Sequence, residues 1–127
     1  MEPYKILFFV YAVNLALLVM HEMDSAYWKE WEMLGKFSKI GVSGFIALHF
    51  PLLIFCFTGM IFLYEGRTVG LIISFIISLV GLFAYFFHAY HLKRDNRKFN
   101  TTISKTILFM ILIFSVLQFI LSLLFLI

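Results

Sequence analysis

VGLIISFIISLVGLFAYFFH, residues 69–88, decides the fold. These twenty consecutive residues carry no charge. At a rise of about 1.5 Å per residue, a helix of that length covers the roughly 30 Å hydrocarbon core of a bilayer. The stretch lacks the period-two alternation of a barrel strand. Hydrocarbon offers no water to unpaired backbone groups, so a helix is the only spanning form left.

Three more runs of the same kind flank it. Tyr4–Met20 reaches spanning length if it continues to Asp24, and Pro3 suits its first helical position. Phe45–Tyr64 and Ile103–Ile127 complete the set. The reading is an all-α integral membrane four-helix bundle in one domain, 1–127, with spans near 4–23, 44–64, 69–91 and 103–127. The first run resembles a signal peptide only loosely, because no small-x-small cleavage site follows Met20. It is read as a retained helix.

Composition agrees. The chain is 63% hydrophobic and 13% charged, against roughly 25% charged in soluble domains. With 127 residues it cannot hide that much apolar surface from water. A single cysteine, Cys56, excludes an internal disulfide and a cysteine-cluster metal site. The net charge of +3 sits beside apolar spans, where lipid headgroups and topology account for it, and no nucleic-acid motif accompanies it.

Between the first two spans, Tyr27, Trp28, Trp31 and Leu34 share one helical face, with Lys29, Glu30, Glu32 and Lys36 mostly opposite. Asp24 or Ser25 is placed to start such a helix and Gly35 to end it. This predicts a short interfacial helix lying on the membrane, with its tryptophans in an aromatic belt. The alternative is one long first helix.

Eight basic residues, Lys29, Lys36, Lys39, Lys93, Arg94, Arg97, Lys98 and Lys105, fall on one side, against Lys5 and Arg67 on the other. The positive-inside rule then puts loops 24–43 and 92–102 in the cytoplasm and both termini outside.

All four histidines gather toward that basic side. His21 ends the first span, and His88 and His91 end the third. His49 lies roughly 7–8 Å deep in the second, counted from a start after Ser43. Ser74, Ser78, Gly81, Tyr85 and His88 form a small and polar stripe, Asn14, His21 and Trp28, seven apart, share a second face, and Ser115, Gln118 and Ser122 form a third. Such stripes face other helices rather than lipid. Pro51 frees the carbonyl of residue 47 beside His49.

Ionisable residues inside a membrane are costly and mark functional sites. Imidazole with carboxylate is a ligand set for zinc or iron. His21, Asp24, His49, His88 and His91 are therefore the candidate metal ligands, and Glu22 and Asp24 the candidate acid–base groups. Plainer roles compete. His91 can simply meet headgroups, Asp24 can cap a helix, and His49 can bond a backbone carbonyl.

The order His21-Glu22-Met23-Asp24-Ser25, then Glu30-Trp31, His49-Phe50-Pro51-Leu52 and His88-Ala89-Tyr90-His91 resembles an uncharacterised bacterial family of small four-helix membrane proteins. That family carries His-Glu-x-Asp-Ala/Ser, Glu-Trp, His-x-Pro-Leu and His-x-x-His. The resemblance implies one shared site for the four histidines and Asp24, in a bacterial inner membrane. More distantly the chain is similar to membrane proteins with a His-x-x-Glu-Glu motif, which implies enzymatic activity. Asp24-Ser25 stands here where that motif has Glu-Glu.

Two functions compete. One is a metal-dependent intramembrane hydrolase acting on a lipid or other amphiphile at the cytoplasmic face. The other is a structural or accessory subunit of a larger membrane complex. A haem held by two histidines ranks below both. A transporter ranks lower again, since no inverted repeat and no midplane charge is present.

Overall fold

The structure is a computed structural model describing residues 3–127. Four helices account for most of it: α1 (Pro3–Trp28), α2 (Gly41–Tyr64), α3 (Thr68–Arg94) and α4 (Thr102–Leu126). All four are long and apolar enough to cross a bilayer. The chain is thus a small all-α membrane protein.

The boundaries differ from the sequence reading mainly at the basic end. Residues 24–28, expected to open an interfacial helix, instead prolong α1 to Trp28. The rest of that segment winds as two short 3-10 helices, Glu30–Met33 and Gly35–Ile40. The cause is local. Lys29 and Gly35 take left-handed φ values of 54° and 58°, which no α-helix can pass through, and 3-10 turns persist only in short pieces. Trp31 does not join an aromatic belt. It is buried, with its ring centroid 5.3 Å from that of Phe45 on α2. α2 begins at Gly41, and α3 runs to Arg94.

Consecutive helices are neighbours, and α4 closes the ring against α1. Aromatic contacts mark both ends. Tyr4 stacks on Phe125 and Phe8 leans on Tyr64 at one end, while His21 meets His88 at the other.

The polar stripes meet in the interior. Asn14 donates from Nδ2 to Ser115 Oγ at 3.1 Å and to Gln118 Oε1 at 2.8 Å. Gln118 Nε2 donates to the Ser74 carbonyl at 2.8 Å, and Ser74 and Ser122 share a 2.8 Å hydroxyl bond. All five are fully buried. Tyr11 adds a 2.6 Å bond to the Cys56 carbonyl and so ties α1 to α2. Each bond satisfies a group that would otherwise stand unpaired in hydrocarbon.

Small residues allow the close approach. A Cβ on Gly81 would collide with Ser115 Oγ, and one on Gly70 would collide with the backbone nitrogen of Leu63. The second obstacle is backbone and cannot rotate away.

Two changes test this packing. Gly70→Ala must pry the start of α3 from the end of α2, at a cost of about 1–3 kcal/mol, read as a lower midpoint in detergent-denaturation titrations. Gln118→Leu strips the shared amide from three helices and is expected to cost about 0.6–2 kcal/mol in the same titration. An unchanged midpoint for either would show that these contacts do not hold the bundle.

Candidate functional site

The basic end of the bundle holds two linked clusters. His21 is seven residues from the end of α1 and His88 six from the end of α3. Each therefore lies about 9–11 Å from its helix end. Both are 1% exposed, and their rings meet edge to face with centroids 4.7 Å apart.

Glu30 completes this cluster from the first 3-10 turn. Its Oε1 lies 3.1 Å from His88 Nε2. Ser25, buried on α1 one turn after His21, stands 3.4 Å from His21 Nε2 and also hydrogen-bonds Glu30. Burial alone would push the Glu30 carboxyl up. The bonds from His88 and Ser25 outweigh that and, with both imidazoles nearby, hold it below the usual carboxylate value.

An ionised Glu30 only accepts hydrogen bonds, so His88 donates to it from Nε2. In the neutral ring this leaves His88 Nδ1 as a bare lone pair; His21 Nδ1 lies in the same buried cluster. Both are buried and have no hydrogen-bond partner. One ligand atom each from His21, Glu30 and His88 lie within 4.8 Å of one another, and no other group of three or more such residues forms among the described residues.

The second cluster sits between α1 and α2. His49 Nε2 is 2.6 Å from Glu22 Oε2, and His49 Nδ1 is 2.6 Å from the Phe45 carbonyl. A carbonyl only accepts, so Nδ1 carries a proton. The Nε2–Oε2 contact then holds one more proton, on either atom. The two clusters are adjacent along α1 through His21 and Glu22, and Glu22 and Glu30 lie close enough to feel each other's charge.

The six residues expected at the site therefore divide. His21 and His88 meet. Glu22 and His49 pair with each other. Asp24 is one turn from Trp28, and its Oδ2 and the Trp28 indole N–H are buried without partners. His91 packs on Phe87 at 4.4 Å and lines a shallow polar cleft of about 250 Å³ with Glu32, Asp95 and Arg97. In that surface region Arg97 grips Asp95, whose carboxyl is held down to about 2 by the hydrogen bonds it accepts. Lys98 bonds Glu32 at 2.7 Å and holds its carboxyl below the ordinary value.

Glu30 and Phe99 are the residues that spacing alone misses. Glu30 stands in the Glu-Trp motif, but that motif assigns it no role. Phe99 seals the first cluster: it is 2% exposed, and its centroid is 4.2 Å from His88 and 6.0 Å from His21. Its φ of 57° is unfavourable for a bulky residue, so packing must hold it there.

These features define the class: a four-helix membrane protein with buried imidazoles and carboxylates near one end of the bundle. The chain belongs to the family described as Family of unknown function (DUF6713), whose profile matches residues 7–125 and so reaches into all four helices. No curated protein and no solved structure matches it significantly. The family agrees with the whole-chain resemblance to an uncharacterised group and brings no substrate with it.

Phe99 as a seal is directly testable. Diethylpyrocarbonate should modify His91 readily in the detergent-solubilised wild type and leave His21 and His88 at least fivefold less reactive. Phe99→Ala should bring His88 to a rate near that of His91. A rate for His88 that matches His91 already in the wild type would show that the cluster is open.

Proposed function

We propose that the protein is a metal-dependent hydrolase of the membrane interface, with His21, His88 and Glu30 holding a zinc or iron ion. One observation carries this. Three ligand groups from three separate segments converge within 4.8 Å, with both imidazoles buried. A cation is a partner that all three can share.

Two histidines and one glutamate form a known catalytic zinc set, which keeps a position for water or substrate. Tetrahedral ligands at about 2.0–2.1 Å from zinc stand about 3.4 Å apart, so side-chain rotation closes the remaining gap. The ion would polarise a bound water, and the Glu22–His49 pair would take and return its proton. The contact between the His21 and His88 rings leaves no slot between them for a porphyrin plane, which supports a bare ion over haem. By the positive-inside rule, we place this end at the cytoplasmic face of a bacterial inner membrane, with both termini outside.

The accessory-subunit reading has one observation behind it. The most apolar window of the segment Gly35–Tyr64 is 17% buried, against 33–39% for the other three. α2 thus offers the bundle's most open face to lipid or to a larger complex.

Metal analysis of the untagged protein, purified in mild detergent from cells supplied with zinc and iron, tests the first reading. About one equivalent of one metal is expected. His88→Ala and Glu30→Gln should each lower it at least tenfold while far-ultraviolet circular dichroism stays helical, and His91→Ala should leave it unchanged. A metal-free wild type would sink the reading, and its recovery only inside a large stable assembly would favour the second.

A further inference from the structure

A cleft of about 380 Å³ opens between α1 and α2, in the size range of small-molecule sites. Its walls are apolar, with Val19, Met23, Ile46, Phe50 and Leu53 among them. Among the described residues, its only polar lining residues are Glu22 and His49. The rim side chains Met23, Ile46 and Phe50 are 69%, 62% and 71% exposed. On a membrane-crossing bundle, those residues face lipid. The cleft therefore opens sideways into the bilayer.

His49 lies eight residues into α2, about 12 Å from the helix start. That is acyl-chain depth, just under the headgroups. Glu22 and His49 are paired, yet their side chains stay 30% and 20% exposed. Leaving a carboxyl and an imidazole open to hydrocarbon is expensive unless something polar is delivered to them. Whatever fills the space must be apolar along most of its length and hydrogen-bonding at one end. A single hydrocarbon chain with a polar end group meets both requirements.

We infer that this cleft is a lateral entry site for one acyl chain of a membrane amphiphile, with its carbonyl or carboxyl group brought to the Glu22–His49 pair. The inference names the substrate class for the proposed hydrolase and rests on that reading for any chemistry after binding. The cleft itself is independent of the metal. An acyl carbonyl held there lies beside Glu22, whose chain neighbour His21 belongs to the metal cluster.

The test uses the full-length protein in phosphatidylethanolamine–phosphatidylglycerol vesicles with a diazirine-bearing palmitic acid. After photolysis, mass spectrometry should find label on segments 19–26 and 45–53 at least fivefold above the other lipid-facing segments, and excess palmitic acid should compete it away. Ala26→Trp and Leu53→Trp, which fill the cleft, should each cut that labelling at least fivefold and leave metal content as in the parent. Label spread evenly over outward residues such as Phe83 and Leu124, or label unmoved by both fillings, overturns the inference. Localised, competable labelling on a protein without metal supports the acyl site and removes the metal reading alone.

Discussion

A polar group in hydrocarbon has to find its partner inside the protein, and most of this structure depends on that one requirement. Asn14, Ser74, Ser115, Gln118 and Ser122 are fully buried because outward-facing amides and hydroxyls would have nothing to bond. Their mutual bonds fix the rotation of α1, α3 and α4 about their own axes. That rotation carries His21 and His88, one heptad beyond Asn14 and two beyond Ser74, onto the same inner surface. The core network and the imidazole pair are two stretches of one interior seam.

The same requirement separates the two clusters in character. The His21–His88–Glu30 group is closed, with Ser25 and Phe99 buried beside it, and the Nδ1 atoms of both imidazoles have no hydrogen-bond partner. The Glu22–His49 pair is satisfied internally but open to the side. One cluster is enclosed and the other is half open, and the two are adjacent on α1 through His21 and Glu22.

Much of this was legible in the residues. Charge-free runs revealed the helices, and heptad spacing picked out the polar seam and His21 with His88. Glu30 was hidden for a geometric reason. Nine residues beyond His21, on an uninterrupted helix at about 100° per residue, it would face the opposite side. The left-handed turn at Lys29 folds it back to His88, and no pattern in the sequence announces that turn at a lysine. His91 misled in the other direction. Three positions from His88 is near enough to share a helical face, but His91 packs on Phe87 at the rim instead. Phe99 carried no signal either, since its place depends on a backbone conformation rare for its type.

The position of Phe99 in the chain has a consequence for biogenesis. The residue follows both imidazoles and precedes α4, so ribosomes deliver the pocket's cover after its contents. A nascent chain that has threaded α1 to α3 into the bilayer already carries His21, Glu30 and His88, with no aromatic cover above them. The final helix brings Ser115, Gln118 and Ser122 to their partners. A chain truncated before residue 99 would lack the pocket's aromatic cover.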